Sequence, residues 1–266
     1  MALTNVVDVA SGGSHLLAVT GDGSVVAWGN NSHGQTDVPP HLGGVRAVAA
    51  GPRHSLALRK DGTVVAWGSN LNGQSTVPAG LADVVSIDAG GEASVAVRRD
   101  GDAVHWGAFA SGGHSLMSVP GFAVTSAATG DGFMILVFDD GDVDGLVIPL
   151  SDDMYAPLEK PAVLSPVASV ACGSGFVVAL TRQGAVVAWG RNDYDQCEVP
   201  AGLRDVIAVS AGGAIPMVLR SDGTLATWGL GFVPSGLRDV TKVSAGSLSI
   251  ALRADGTVRA WDARRQ

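Results

Sequence analysis

The sequence predicts an all-β fold, a seven-bladed β-propeller built from repeats of about 39 residues. Three observations carry that prediction. An eighteen-residue stretch is written nearly twice, as DGSVVAWGNNSHGQTDVP at 22–39 and DGTVVAWGSNLNGQSTVP at 61–78. All six tryptophans share one register: aligned on DG-x-V-x-x-W, Trp28, Trp67, Trp106, Leu146, Trp189, Trp228 and Trp261 are equivalent, in steps of 39, 39, 40, 43, 39 and 33 residues. No segment signals a helix, whereas Val and Ile alternate with small residues ahead of each DG, the two-residue period of half-buried strands.

Each unit opens with two strands joined by a glycine turn, as in VVDVASGGSHLLAV (6–19), VRAVAAGPRHSLAL (45–58), VIAVSAGGAIPMVL (206–219) and VTKVSAGSLSIAL (240–252). The AAG-type strand is expected to line the axis, where small side chains suit a crowded centre. A DG hairpin follows, its glycine supplying positive φ. A third strand then ends in WG, a polar loop follows, and GQxxVP reads as a short outer strand. Four short strands cannot bury an apolar face alone, and radial closure leaves only short protected edges. The chain therefore reads as one domain over 1–266, with copies at 5–43, 44–82, 83–121, 122–165, 166–204, 205–238 and 239–266. Each tryptophan should wedge between blades. The last copy stops at WDARRQ, so closure falls to residues 1–5 or proceeds without a covalent clasp.

The AxGxxHSLAL, DGxVxAWGxNxxGQ and VP elements resemble regulator-of-chromosome-condensation repeats over residues 5–261. The compact spacing with GQxxVP is especially similar to the secreted bacterial β-lactamase inhibitory proteins of the second type. That resemblance implies a propeller with a protein docked on one face, in those inhibitors an aromatic-rich face. Here the whole chain holds 2 Tyr and 6 Phe, too few to copy such a surface. Propellers of this kind also include exchange factors, ligase modules and some enzymes, so the fold leaves function open.

The net charge of −8 argues against phosphate neutralisation on nucleic acid and against anionic membrane surfaces. The opening MALTNVVDVA has neither a basic n-region nor an apolar h-region, which points to the cytoplasm, or to secretion if a leader precedes this sequence. Cys172 and Cys197 stand where other copies have Ser11, Ala50 and Ala211, or Thr36 and Ser75, and read as small fillers. GxSxG, GxxxxGK[ST], HExxH, CxxC and GxGxxG are absent, so no cofactor and no metal is expected.

In a ring of near-identical blades packing explains what recurs, and function is expected where copies differ. Copy three carries GAFASGGHSLMSVP at 107–120, and copy four carries DDGDVDGLVIPLSDDMYAPLEKP at 139–161. Strand alternation puts the GG turns and post-WG loops at one end of every blade and the DG hairpins at the other. The partner-binding candidates on the first face are Arg53, Asn70, Asn72, Glu92, Phe109, Tyr155, Tyr194 and Phe232.

Among chemically capable groups, His15 and His54 occupy a slot that other copies fill with Ala93, Phe133, Phe176, Ile215 and Leu248, and read as structural. His105 and Asp144 replace Ala or Val in third strands; with His114 they are the catalytic candidates, read either as an acid–base set or as a solvated strand. Asp139, Asp140, Asp142, Asp144, Asp152 and Asp153 form an acidic run without calcium-loop spacing. Two functions remain in view. One is a noncatalytic propeller that binds a protein on the loop face; the other is a specialised-metabolism enzyme of cyclase or isomerase type holding a small apolar substrate at the channel mouth.

Overall fold

The computed structural model describes residues 3–108, 114–117, 123–147, 160–162, 164 and 166–264, with backbone alone at 114–117 and 146–147. Every element in it is a strand. Blade one comprises Val6–Ser11, His15–Thr20 and Val25–Gly29, and blade two Val45–Ala50, His54–Arg59 and Val64–Gly68. Blade three has Val84–Gly90, Ala93–Arg98 and Ala103–Gly107, with a fourth strand His114–Met117. Blade four has Val124–Thr129, Phe133–Phe138 and Val143–Val147, and blade five Val167–Cys172, Phe176–Thr181 and Val186–Gly190. Blade six has Val206–Gly212, Ile215–Arg220 and Leu225–Thr227, and blade seven Val240–Ser244, Leu248–Arg253 and Val258–Asp262. All pair antiparallel in sequence order, as the seven copies predict.

The outer strand expected at GQxxVP is the correction. In blades one, two and five that segment is a turn-rich strap, because its backbone acceptor is spent on the next blade. The Gln35 carbonyl takes Trp67 Nε1–H at 2.9 Å and Ser55 Oγ–H at 2.8 Å. Gln74 repeats this with Trp106 at 2.8 Å and Ser94 at 2.9 Å. Among the described residues a regular fourth strand exists only in blade three, where His114–Met117 pairs with Ala103–Trp106.

The core consists of the blade junctions. Middle strands are buried on both faces: Leu17 and Val19 pack with Val45, Val48 and Trp67 of blade two, while Leu16 and Ala18 pack with Ile250 and Leu252 of blade seven. Each wedge tryptophan packs against the preceding blade, Trp106 against blade two, Trp189 against blade four, Trp228 against blade five and Trp261 against blade six. In every inner strand the register shifts after the first residue. This bulge turns the second residue outward, which is why Val7 and Ile207 are exposed.

Closure uses the strand-to-hairpin bond that also joins blades one to two, two to three, three to four, four to five and six to seven, and among the described residues no strand is shared between blades seven and one. Val45 N–H donates to Gly23 O at 3.0 Å, and Val6 N–H donates to Gly256 O at 3.0 Å. Leu248 N–H reaches Gly13 O, and Ser11 N–H reaches Ser244 Oγ at 2.9 Å. The ring is therefore clasped noncovalently between blades seven and one.

The glycine that ends each inner strand recurs because the hub leaves no room for a side chain. A Cβ on Gly90 would lie 2.1 Å from Thr129 O in the next blade. Gly90→Ala is expected to lower stability by about 1–3 kcal/mol, through forced separation of blades three and four. Urea denaturation checks this, and an unchanged midpoint would contradict it.

Candidate functional site

The placement of the two loop sets on one face is written in the backbone. Asn30 N–H donates to Ser14 O at 2.9 Å, Ser69 to Arg53 O at 2.8 Å, Ala108 to Glu92 O at 2.9 Å and Arg191 to Gly175 O at 2.7 Å. Each bond ties a post-WG loop to the glycine turn of its own blade. The DG hairpins lie at the other end, where hydrogen bonds hold four carboxyls below the usual range: Asp22 accepts first from Thr20 Oγ1–H and then from Ser24 N–H, and Asp61, Asp222 and Asp255 accept from the Thr two residues on.

The partner-binding candidates fare differently on this face. Arg53 and Glu92 lie on adjacent turns as an ion pair at 3.4 Å, and Glu92 also accepts from Gln74 Nε2. Tyr194 is 48% exposed at its loop tip. Asn70 serves its own loop: its Oδ1 takes Ser75 N–H at 3.0 Å and its Nδ2 donates to Thr76 Oγ1 at 2.9 Å. Asn31 and Asn192 make the same bracket in their loops. Asn72 donates its backbone N–H to Gln74 Oε1 at 2.9 Å. Phe232 packs into the junction of blades six and seven, and its carbonyl takes Trp261 Nε1–H at 2.8 Å, the duty that Gln performs elsewhere. Phe109 and Tyr155 lie outside the described residues.

Two loop-tip residues escaped the sequence reading. Leu71 is 84% exposed, and Leu230 is exposed as well. With Tyr194 they put a large apolar side chain on three post-WG loops of the same face. A leucine where the other copies have Ser32 and Asp193 was the available signal.

The catalytic candidates do not gather. His105 is 2% exposed inside blade three, paired across to Val95 and Ser115, and burial lowers its imidazole. Asp144 is exposed in blade four, opposite Leu136. The His114 backbone lies in the fourth strand of blade three, and its side chain is outside the described set. No group of three or more metal-ligating side chains occurs among the described residues.

His15 and His54 form an inter-blade relay. Ser55 Oγ–H donates to Gln35 O and so accepts from His15 Nε2–H at 2.9 Å; Ser94 Oγ stands in the same relation to Gln74 O and to His54 at 3.0 Å. The Nδ1 atom of each ring is buried with no hydrogen-bond partner among the described residues. Burial pushes both imidazoles down to about 4, with the charge of His15 adding to the effect at His54.

A cavity of about 590 Å³ occupies the hub, lined by inner strands and glycine turns of all seven blades, and its mouth residues include Gly13, Ser14 and Asp131. Neither His105 nor Asp144 lines it. Asp88, Lys242 and Cys172 do. No described helix is long and apolar enough to cross a membrane.

The regulator of chromosome condensation (RCC1) repeat family matches residues 6–35, 45–74 and 167–196, in three of the seven copies. No curated protein matches the sequence. Among solved structures, the ectodomain of the Physcomitrella patens receptor kinase CR4 aligns with TM-score 0.80 at 18% identity, over 98% of this chain and 73% of that one. The CRINKLY WD40 ectodomain of the Arabidopsis thaliana receptor kinase ACR4 aligns with TM-score 0.73 at 19% identity, over 98% and 96%. Prp20p of Saccharomyces cerevisiae, whose structure was described together with its binding to Gsp1p and histones, aligns with TM-score 0.69 at 18% identity, over 98% and 81%. At such identities the likeness concerns the fold, and with the three repeat matches it establishes an RCC1-like seven-bladed propeller.

Proposed function

We propose that the chain is a noncatalytic binding propeller that holds a protein partner on the face formed by its glycine turns and post-WG loops. The observation that carries this reading is the set of exposed apolar side chains at three loop tips, Leu71, Tyr194 and Leu230, on the face that also bears the Arg53–Glu92 pair. Apolar anchors inside a polar rim are the usual composition of a protein interface. A stiff ring presents them already ordered, so association loses little conformational freedom. Prp20p, a structural neighbour, binds Gsp1p and histones, which supports protein binding as the function class. The similarity of the repeat spacing to the β-lactamase inhibitory proteins makes a β-lactamase the first partner to try.

The combined variant Leu71→Asp, Tyr194→Asp, Leu230→Asp is expected to lose its partner from pull-downs while melting like the parent. Val7→Asp with Ile207→Asp, on the opposite face, should retain it. Loss with the opposite-face pair alone, or retention in both, overturns the assignment.

The enzyme reading has the hub cavity in its favour, since that space is large enough for a small molecule. The described catalytic candidates His105 and Asp144 lie away from that cavity.

A further inference from the structure

The hub carries charge that the ring does not require. At the fifth position of the inner strand four blades place alanine, two place Ser210 and Ser244, and blade three places Asp88. This slot has one structural duty, to accept a backbone N–H of the next blade. Ser210 Oγ accepts from Ala245 N–H at 2.9 Å, and Ser244 Oγ from Ser11 N–H at 2.9 Å. Asp88 Oδ2 does the same for Thr129, taking its N–H at 2.7 Å and its Oγ1–H at 3.0 Å. One neutral oxygen therefore suffices, and four blades manage without any. The Asp88 carboxyl also takes the backbone N–H of Ala89, but among the described residues no side chain donates to its second oxygen, and its negative charge is surplus to the fold. That charge is also expensive, since burial raises the carboxyl above its ordinary range against the pull of the Thr129 bonds.

The rest of the hub does not neutralise it. Lys242, which also lines the cavity, is ion-paired with Asp8, whose side chain is 6% exposed and whose Oδ2 takes Val48 N–H at 2.8 Å. Lys242 thus answers Asp8, acting on Asp88 only from a distance. Asp131 adds a further carboxylate at the mouth. Among the residues lining the cavity the carboxylates of Asp88 and Asp131 outnumber the one ammonium of Lys242, while the Arg264 guanidinium approaches the turn at Gly213, and a cavity of about 590 Å³ holds more than a solvated proton.

We propose that the hub cavity binds an organic cation of the alkylammonium or guanidinium class, with Asp88 receiving its charge. A metal ion is the poorer fit, since the described residues bring no three ligating side chains together. Two sources offer this chemistry: a free small amine, or the lysine or arginine side chain of a protein docked over the mouth. The second source rests on the function proposed above and the first does not.

The test titrates the purified full chain with n-butylammonium chloride by calorimetry, with sodium butyrate as the opposite-charge control and an end-blocked Gly-Gly-Lys-Gly-Gly peptide as the side-chain probe. Saturable binding of n-butylammonium and none of butyrate is expected. Asp88→Ser, which keeps an acceptor like that of Ser210, should weaken binding about tenfold or more while melting within about 3 °C of the parent. Binding of the peptide as well assigns the site to a docked protein's side chain; binding of the amine alone assigns it to a free amine. The proposal is overturned by absence of saturable binding, by undiminished binding in Asp88→Ser, or by a collapse of melting temperature in that variant, which would make the carboxylate structural. None of these outcomes depends on partner capture, so the hub site and the docking face fail separately.

Discussion

Trp106→Ala is expected to lower the free energy of unfolding by about 3–5 kcal/mol, the range for removing a fully buried aromatic side chain. Trp106 is fully buried between blades two and three, and its Nε1–H is bonded to Gln74 O at 2.8 Å. Truncation opens a cavity at the junction and removes one of the two donors to that carbonyl; Ser94 Oγ remains. The internal control is Trp28, which is only half-buried in the seam between blades seven and one. Trp28→Ala should cost about half as much or less, because less area returns to water. Urea denaturation followed by far-ultraviolet circular dichroism measures both, and equal losses would contradict the wedge as the source of junction strength.

Mild acid is expected to weaken the ring through two histidines. His15 and His54 ionise near 4 in the folded chain, against 6.5 for an ordinary imidazole. A second proton on either ring would sit at a buried Nδ1 with no hydrogen-bond partner among the described residues, and the backbone bond from Ala93 only partly offsets burial at His54. Between those values the unfolded chain binds protons that the folded chain refuses, so stability falls as pH falls. Between pH 7.5 and 5 the loss is about 2 kcal/mol for each residue. The double variant His15→Phe, His54→Phe should flatten this dependence, since Phe133 and Phe176 already fill the same slot in blades four and five. Asp88, whose raised carboxyl works in the opposite direction, and His105, lowered like the other two, are common to parent and variant and drop out of the comparison. Denaturant midpoints at the two pH values decide the matter: an equal pH dependence in parent and double variant would remove the relay from the explanation.

The repeat made most of this fold legible. Six tryptophans and Leu146 in one register imply seven blade junctions, and the GG, DG and WG glycines locate the turns. The strap at GQxxVP was misread as a strand because alternation along a chain does not reveal where its carbonyls point, and Gln35 O points to the neighbouring blade. Phe232 looked like a surface aromatic, yet its ring is packed at a junction, since a shortened loop in blade six leaves it in the place of the strap glutamine. Asn70 could have been set aside from sequence alone, because Asn31 and Asn192 repeat it, and a residue that recurs in every intact loop belongs to the loop. Leu71 and Leu230 are not legible as surface anchors by residue type alone, because an aliphatic side chain in a loop is as compatible with packing under the loop as with exposure. Asp88 was readable, as a charge in a slot that small residues fill elsewhere, and so was Lys242, which shares its slot with Asp8 and otherwise with small residues. What one chain does not encode locally is which departure faces solvent, which faces the hub and which is buried. That follows from the pleat and from ring closure, both of them non-local.

The most direct test of where this ring works is amide hydrogen exchange on the full chain with and without its captured partner. Protection should gather in the glycine turns and post-WG loops that carry Arg53, Leu71, Tyr194 and Leu230, leaving exchange at the hairpins of Asp22, Asp61 and Asp222 unchanged. Protection centred on those hairpins, with the loop tips exchanging as in the free chain, would contradict the assignment of the docking face.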